Sequence, residues 1–378
     1  MVPKMVLSCT ARVIYPTKKM KLKTLLSAIV LSTSVIVFTH CSQNNKTAAQ
    51  AAAKTSAPAD TAKKTATAAA ASADTVQAAP VSYPPLDKAA YDAKMKEMAH
   101  GDTTGKWPVK NTPYPLDGAI LPFKRVVAYY GNLYAKKMGI LGEIPPKEML
   151  AKLQGECKHW EKADPKTPVI PALHYITVVA QGDAGKDGKY RYRMPFKQID
   201  SVLVLAKKIH GIVFLDVQVA LSNIHAELPL LEKYLAMPQV NFGMDPEFSM
   251  KDGSKPGKKI GTYDADDVNY VSGYLANLVK KYHLPPKILI VHRFTKKMVT
   301  NYNHIKLHPE IQLVMDMDGW GEPELKLGTW RYFIYNEPVQ FTGFKLFYKN
   351  DIKKAPHHMM TPEEVLKLKP NPNYIQYQ

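Results

Sequence analysis

Two stretches of sequence decide the fold: Ile212-Val-Phe-Leu-Asp-Val-Gln at 212–218 and Ile288-Leu-Ile-Val-His-Arg at 288–293. Each begins with four consecutive apolar residues, whereas a strand with one face in water alternates apolar and polar residues. Uninterrupted apolar runs are typical of parallel strands that are buried on both faces. The two stretches therefore predict an α/β protein whose parallel sheet is covered by helices.

Strand-like and helix-like segments alternate on both sides of these stretches. Eight strand-like runs with helical crossovers predict a (β/α)8 TIM-like barrel, and a doubly wound open sheet is the main alternative. Because no glycine-rich phosphate-binding loop follows any run, we expect no nucleotide or other cofactor. The predicted strands are Arg125–Gly131, Val169–Val179, Gly211–Val219, Val240–Phe248, Lys287–Phe294, Ile311–Gly319, Arg331–Tyr335 and Phe341–Tyr348, and the predicted helices include Pro146–Trp160, Phe196–Ile209, Ile224–Leu235 and Asp264–Tyr282.

Residues 1–41 have the features of an export leader. A basic segment that starts at Met20 is followed by the apolar run Leu25–Phe38, which has the length of a signal-peptide core and is short for a membrane span. The run ends at a sequence that resembles a lipobox, with Cys41 as the acylated residue and His40 where a small residue is usual. The leader predicts a lipoprotein anchored in a membrane of the cell envelope, with Met20 as its true start.

Residues 42–82 predict a disordered tether. They consist almost entirely of Ala, Thr, Lys, Ser, Asp and Pro, and Val76 is the one large apolar residue between 47 and 80. Such a segment cannot bury enough apolar surface to offset the entropy lost on ordering. The remainder, 83–378, predicts a single barrel domain. Its first part, 83–121, is rich in proline and aromatic residues, and we expect this extension to wrap the barrel or close one end.

The net charge of +18 does not indicate a nucleic-acid-binding protein. Residues 1–40 hold six basic residues and no acidic one, and most of the remaining excess is lysine spread over the tether and the predicted helices. The sequence contains neither an arginine-rich helix nor a basic and aromatic repeat, so we expect no nucleic-acid partner. Cys157 is the only cysteine after Cys41, so no disulfide within the domain is predicted.

Polar residues follow the apolar part of most predicted strands, where a strand buried on both faces should stay apolar. In a barrel the carboxyl ends of the strands converge on one mouth, and active sites are built there. A spacing of two places Asp245 and Glu247 on the same side of their strand. The polar residues at these ends are His174, Asp216, Gln218, Asp245, Glu247, His292, Asp316, Asp318 and Lys345.

Several of these residues also have a structural interpretation. Asp245 precedes a proline and can cap a turn, and Asp318 begins an Asp-Gly dipeptide that is common in turns. Asp216 and Asp316 can form buried ion pairs with Lys345 or Arg293, and either histidine can be a hydrogen-bonded wall residue. Glu247 has the weakest structural explanation. Taken together, the residues predict a polar mouth on an apolar barrel.

Such a mouth suits glycoside hydrolysis, in which two carboxyl groups act on either side of a glycosidic bond. We expect Glu247 to be the general acid/base and Asp318 or Asp216 to be the nucleophile or its partner, with an envelope or environmental polysaccharide as substrate. A metal-dependent phosphodiesterase and a barrel that binds glycan without cleaving it stay open, although the sequence lacks metal-site motifs. The residues expected to bind substrate are His174, Gln218, Asp245, His292, Lys345, Tyr130, Trp320 and Tyr348.

Seven motifs in the region 125–377 carry a resemblance: Leu215-Asp-Val-Gln, Met244-Asp-Pro-Glu-Phe, Val268-Asn-Tyr-Val-Ser, Leu284-Pro-Pro-Lys, Val291-His-Arg-Phe, Met317-Asp-Gly-Trp-Gly and Gly343-Phe-Lys-Leu-Phe-Tyr. They resemble an uncharacterised family of bacterial secreted proteins and lipoproteins with a glycoside-hydrolase-like barrel. Members commonly have Gln at the position of Arg293 and Trp at that of Phe248. The resemblance implies an exported barrel protein, and it assigns no activity and no catalytic residue.

Overall fold

The computed structural model describes residues 82–354 and 356–378, and these residues contain a closed barrel of eight parallel strands. Each strand pairs with the next along the chain, and the last pairs with the first, with Ala128 opposite Gln376. The predicted (β/α)8 barrel is therefore confirmed. The barrel strands, labelled β1 to β8, are Arg125–Gly131, Val169–Ala180, Ile212–Val217, Val240–Met244, Lys287–Arg293, Ile311–Met317, Phe341–Leu346 and Tyr374–Tyr377.

Helices follow the strands and cover the outer face of the barrel. The helix Ala265–Tyr282 begins with a capping box between Asp264 and Asp267, and it buries an apolar stripe that includes Val268 and Leu275. The predicted helix over 224–235 is divided into three short pieces. The α-helices are Lys88–Met98, Ile140–Glu143, Pro146–Ala163, Phe196–Lys207, Ile224–Glu227, Glu232–Leu235, Ala265–Tyr282, Pro323–Thr329 and Pro362–Val365, and short strands outside the barrel are Arg191–Arg193, Tyr263–Asp264 and Val299–Thr300.

One predicted strand is wrong. Residues 331–335 belong to the π-helical segment Trp330–Tyr335, which continues the helix Pro323–Thr329. Its aromatic and β-branched composition is typical of a strand, but its buried residues, Trp330 and Ile334, are four positions apart, which is a helical spacing. The eighth strand is instead β8, four residues long and next to the end of the sequence, so it is too short to be distinguished by composition.

The amino-terminal end of the barrel is closed by the segment that the sequence identified as an extension, 83–121. Its helix Lys88–Met98 packs into one apolar cluster with side chains from the barrel interior, and Leu121 joins the same cluster. The Gln312 amide on β6 accepts hydrogen bonds from the backbone nitrogens of Ile120 and Leu121 and donates one to the Leu121 carbonyl. The shared cluster includes Tyr91, Met95, Met98, Val126, Phe214, Ile288, Val314 and Phe341.

Polar side chains fill the barrel interior nearer its carboxyl end, and two glycines make room for them. A β-carbon on Gly243 would lie 2.4 Å from both Asp216 Oδ1 and His174 Nε2. A β-carbon on Gly343 would lie 2.5 Å from Asp316 Oδ1. Since real side chains do not pack at such distances, the polar layer requires glycine at both positions.

The predicted leader, the acylation at Cys41 and the tether apart from Ser82 lie outside the described residues and stay predictions. Within residues 82–354 and 356–378, no helix has the length and apolar character needed to cross a membrane. Cys157 is buried on the helix Pro146–Ala163 and forms no disulfide within the described part of the chain.

Candidate active site

A cavity of about 280 Å³ lies at the carboxyl ends of the barrel strands. Its wall combines carboxyl groups, a lysine, amides and aromatic rings. Seven of the residues predicted from the sequence line it: Tyr130, Gln218, Asp245, Glu247, Asp318, Trp320 and Lys345. Residues that complete the lining include Met138, Ile176, Phe248, Phe294, Phe347, Asn350 and Gln378.

Glu247 reaches the cavity from a short 3-10 helix, Pro246–Phe248, which follows β4 directly. Asp245 caps this turn, because its Oδ1 accepts a hydrogen bond from the backbone nitrogen of Glu247 at 2.9 Å. Its Oδ2 accepts a second bond from Gln218 Nε2 at 3.1 Å. Asp245 therefore has the capping role that its place before a proline suggested, and it also lines the cavity. The cap fixes the direction from which Glu247 enters.

The pKa of Glu247 is raised to about 8. Burial is the largest cause, and the charges of Asp245 and Asp318 add to it. Burial also raises the pKa of Asp245 to about 7, against the opposing positive charge of His292. Both carboxyl groups can therefore hold a proton near neutral pH, unlike a solvated carboxyl group. A carboxyl group kept protonated beside other carboxylates is suited to act as a general acid.

Asp318 and Lys345 form an ion pair on the same wall. Asp318 follows β6 and Lys345 lies on β7, and Lys345 Nζ is 2.8 Å from Asp318 Oδ1. The ammonium group also lies 4.0 Å from the ring centroid of Tyr130. Glu247 pairs with no lysine or arginine among the described residues. The cavity therefore contains one ion-paired carboxylate, Asp318, and two carboxyl groups, Asp245 and Glu247, in environments that favour their protonated forms.

Beneath the cavity lie His174, Asp216, His292 and Asp316, which are fully buried and are called the deep cluster below. Asp216 Oδ1 lies 3.3 Å from His174 Nε2 and 3.4 Å from His292 Nε2. His292 Nδ1 lies 3.2 Å from Asp316 Oδ2 and 3.5 Å from Asp318 Oδ2. His292 therefore connects the deep cluster to the cavity wall through Asp318.

The protonation states of the residues in the deep cluster depend on one another. Burial lowers the pKa of His174 to about 4. Burial would also lower the pKa of His292, but contacts with Asp216, Asp316 and Asp318 outweigh it and hold the pKa well above its usual value. Burial would raise the pKa of Asp216, but the two histidines keep it well below its usual range. His292 is thus the cation of the cluster and Asp216 an anion.

Four predicted site residues do not line the cavity. Asp216, expected as nucleophile or its partner, and His174 and His292, expected to bind substrate, lie in the deep cluster without solvent exposure. They are interior side chains one layer further from the mouth, so a substrate in the cavity does not reach them. The fourth residue, Tyr348, lies just beyond the end of β7 and faces the outer side of the barrel.

Tyr348 points away from the barrel interior because side chains alternate along the chain and the preceding residue, Phe347, lines the cavity. Its ring stacks on Tyr377 with centroids 5.3 Å apart. Its hydroxyl donates to Glu156 Oε1 at 2.7 Å and lies 2.8 Å from the hydroxyl of Tyr129. These contacts place Tyr348 between the barrel and the helix Pro146–Ala163, which is a packing position.

The sequence analysis missed the residues that β8 contributes. Tyr374 Oη lies 2.6 Å from His174 Nδ1, and Gln376 Nε2 donates to Tyr374 Oη at 2.7 Å. Gln378 lines the cavity. These three residues follow one another at intervals of two, which is the signal that could have identified the strand and its inward face. They were missed because a different segment was interpreted as the eighth strand.

Aromatic rings complete the wall of the cavity. Phe248, Phe294 and Phe347 line it together with Trp320, whose side chain is 53% exposed. An indole ring at the edge of a polar cavity offers a flat apolar surface with one polar handle, which suits stacking against a sugar ring.

No family model matches the sequence, and no curated protein matches it. Among solved structures, the cellulase Cel5C_n is 13% identical and matches 59% of this chain and 65% of its own, with a TM-score of 0.35. GH5-4 broad-specificity endoglucanases from Clostridium longisporum and from an uncultured bacterium are 9% and 8% identical. They match 59% and 58% of this chain and 75% and 77% of their own, with TM-scores of 0.33 and 0.30. These likenesses carry no argument about function.

Proposed function

We propose that the protein is a glycoside hydrolase that acts on a polysaccharide of the cell envelope or the environment. The observation that carries the proposal is the presence, in one cavity, of a carboxyl group with a raised pKa and an ion-paired carboxylate. The pKa of Glu247 is raised to about 8, and Asp318 is held by Lys345. Glycosidases require these two states of two carboxyl groups at the same bond.

In the proposed mechanism, Glu247 donates its proton to the glycosidic oxygen as the bond to the leaving sugar breaks. Asp318 supplies negative charge opposite the developing oxocarbenium ion, either by attacking the anomeric carbon or by activating a water molecule. Lys345 holds the Asp318 carboxylate in place through the contact at 2.8 Å. The anomeric configuration of the first product distinguishes the retaining from the inverting reaction.

Two other parts of the cavity support sugar binding. Asp245 and Gln218, joined by a hydrogen bond of 3.1 Å, offer polar groups that can contact sugar hydroxyls. Trp320 offers an exposed ring at the rim, where a unit of a polymer can stack. The cavity therefore combines the acid groups with the flat and polar surfaces that carbohydrate recognition uses.

The charge of the cavity makes a phosphodiesterase the weaker candidate. Its described lining has three carboxyl groups, Asp245, Glu247 and Asp318, and one lysine, Lys345, which is already paired with Asp318. A phosphodiester anion would meet no unpaired positive charge in this lining, whereas a neutral sugar needs none.

The test is a screen of the full-length protein against neutral glycans and an activated phosphodiester such as bis(4-nitrophenyl) phosphate. We expect glycan turnover, and a loss of roughly 100- to 10,000-fold in kcat in Glu247→Gln and in Asp318→Asn. The matched control is Glu161→Gln, which makes the same chemical change on an exposed position of the outer helix Pro146–Ala163 and should leave kcat unchanged.

Each other result contradicts the proposal in a defined way. Full turnover in Glu247→Gln would remove that residue from the mechanism. Glycan binding without turnover in the wild type would indicate a binding barrel, and cleavage of the phosphodiester alone would indicate a phosphodiesterase.

The proposal also includes export and a lipid anchor at Cys41, supported by the apolar run that ends at this residue. The Ala-rich tether at 42–82 would give the barrel reach toward extended polymers. Mass spectrometry of the membrane fraction tests the anchor. We expect an acylated Cys41 as the mature amino terminus, and a polypeptide with residues upstream of Cys41 still attached would rule it out.

A further inference from the structure

Three buried polar atoms converge inside the barrel: His174 Nε2, Asp216 Oδ1 and His292 Nε2. All three side chains have no solvent exposure, and the three atoms lie within 4.8 Å of one another. The two contacts to Asp216 Oδ1, at 3.3 Å and 3.4 Å, lack the angles of hydrogen bonds. None of the three atoms has a hydrogen-bond partner among the described residues. Buried polar atoms are nearly always satisfied, so three unsatisfied atoms at one point require an explanation.

The other ring nitrogen of each histidine and the other carboxylate oxygen of Asp216 do have polar partners. His292 Nδ1 lies 3.2 Å from Asp316 Oδ2, and Asp216 Oδ2 accepts a hydrogen bond of 2.9 Å from the Tyr130 hydroxyl. His174 Nδ1 lies 2.6 Å from the Tyr374 hydroxyl. Metal-binding histidines typically use one ring nitrogen for the metal and the other for a carboxylate or another oxygen, and metal-binding carboxylates are hydrogen-bonded in turn. The outward contacts follow this pattern and leave the three inner atoms for a shared ligand.

Two of the three separations between the inner atoms match those expected around a divalent transition-metal ion. Bonds of about 2.0 to 2.1 Å to nitrogen and oxygen ligands in a tetrahedral arrangement separate neighbouring ligands by roughly 3.3 to 3.4 Å. Those are the separations between Asp216 Oδ1 and the two Nε2 atoms. Gly243 borders the same point, because its missing β-carbon would lie 2.4 Å from Asp216 Oδ1 and from His174 Nε2. Any larger residue at 243 would fill the space beside the ligands.

The geometry points to a metal site formed by His174, Asp216 and His292, with zinc the expected ion among divalent transition metals. The site lies below the cavity, so the ion would support the cavity floor without contacting a sugar. Neutral histidines, one carboxylate and a divalent ion together carry one net positive charge. That charge and the ammonium group of Lys345 would together balance Asp316 and Asp318, which face His292 at 3.2 Å and 3.5 Å.

Metal content of the full-length protein tests the site independently of catalysis. We expect one equivalent of zinc per chain after expression in zinc-supplemented medium, measured by elemental analysis after gel filtration. Expression in cobalt-supplemented medium should give the visible d–d absorption of a Co²⁺ ion with nitrogen and oxygen ligands. Removal of the ion should lower Tm by several degrees, since an ion that binds only the folded chain stabilises it.

Variants assign the ion to these residues. His174→Gln and His292→Gln should each lose the metal, while His159→Gln, an exposed histidine on the outer helix, should keep one equivalent. Metal retained in a His174→Gln, His292→Gln double variant would overturn the assignment. Wild-type protein that binds neither zinc nor cobalt, and whose Tm zinc does not change, would overturn the proposal even if the variants fail to fold. A wild-type protein that turns over glycan but binds neither metal would refute this site alone, and a metal-loaded protein without turnover would refute the proposed hydrolase alone.

Discussion

The two ends of the barrel are filled in opposite ways, although the same strands supply both. On β3, Phe214 belongs to the apolar layer closed by the helix Lys88–Met98, and the next inward residue, Asp216, belongs to the deep cluster. On β5, Ile290 is followed in the same way by His292. A step of two residues along a strand thus separates a layer that only packs from a layer that carries charge. Apolar packing at the amino-terminal end stabilises the barrel, whereas the residues suited to chemistry lie toward its carboxyl end.

The two layers contribute to the free energy of folding with opposite sign. Each large apolar side chain in the closed layer contributes about 1.5 to 3 kcal/mol by leaving water. Each ion of the deep cluster loses hydration on burial, and its partners must offset that loss. A charge added at the closed end should therefore destabilise the fold, and a charge removed at the open end should stabilise it. Two predictions test this contrast, and two more test the placement of side chains at the rim and on the outer side of the barrel.

The largest effect is expected for Met95→Asp, which places a carboxylate in the closed apolar layer. Met95 is 5% exposed and packs in the cluster with Phe214 and Ile288. An unpaired buried charge should lower the free energy of unfolding by about 4 kcal/mol or more, as measured by urea denaturation. Ala93→Asp, on the exposed face of the same helix, is the control and should change it by less than about 1 kcal/mol. Equal effects of the two variants would show that the helix does not seal the barrel.

The second prediction concerns Glu247→Gln and stability at the open end. Burial raises the pKa of Glu247 to about 8 from the 4.5 of an unperturbed glutamate, so between these pH values the folded chain holds more protons than the unfolded chain. Its contribution to stability is therefore full below about pH 4.5 and is lost as the pH rises through 8. Glutamine does not titrate, so the variant does not lose stability as the pH rises. We expect it to be more stable than the wild type by roughly 2 to 4 kcal/mol at pH 9.

Urea denaturation at pH 4 and pH 9 measures this difference. The gain should be absent at pH 4, where the wild-type side chain is protonated in both states. Glu161→Gln, on an exposed position, should show no pH-dependent difference from the wild type. A wild-type protein that is as stable as Glu247→Gln at pH 9 would show that Glu247 is not held in its protonated form.

The third prediction separates binding from stability at the rim. Trp320→Ala should raise KM for a glycan substrate roughly tenfold, or about 1.4 kcal/mol, because a stacking surface is lost. The free energy of unfolding should change little, since the ring is 53% exposed. Tyr332→Ala removes an aromatic ring that is 57% exposed and lies outside the cavity lining, and it should leave KM unchanged. An equal rise in KM for both variants would indicate a general surface effect rather than a subsite at Trp320.

Much of the barrel could be predicted from the sequence, because burial on both faces leaves a continuous apolar run. Seven of the eight strands have such a run or an aromatic and apolar equivalent, from Arg125–Gly131 to Phe341–Leu346. β8 has four residues, two of them inward-facing and polar or hydroxylated, so it carries no apolar run. The segment Trp330–Tyr335 has a strand-like composition, and it is helical because of its contacts in the folded chain.

The sequence predicted which residues converge at the candidate site. It did not predict how far below the mouth of the barrel each side chain lies. Period-two spacing indicates that Asp216 and Gln218 share a side, and both do point inward, yet Gln218 lines the cavity and Asp216 does not. Depth depends on the register between strands, such as Gly243 opposite Asp216, and register is a tertiary property. For a residue that follows the end of a strand, the fold likewise decides whether its side chain points inward or outward, as the position of Tyr348 shows.

Tyr348→Phe is expected to have the smallest effect, and it tests inward against outward placement directly. The Tyr348 hydroxyl lies between Tyr129 and Glu156 on the outer side of the barrel. Its removal leaves the Tyr129 hydroxyl without that partner, so the free energy of unfolding should fall by about 1 kcal/mol while kcat and KM stay unchanged. Tyr130→Phe removes the same atom from the inner side, where the hydroxyl donates to Asp216 at 2.9 Å, and it should lower kcat. Glycan kinetics and urea denaturation on both variants decide the matter. A change in KM for Tyr348→Phe that matches the effect of Tyr130→Phe would mean that the substrate extends over the outer side of β7, contrary to the contrast between the barrel's packed and chemical surfaces.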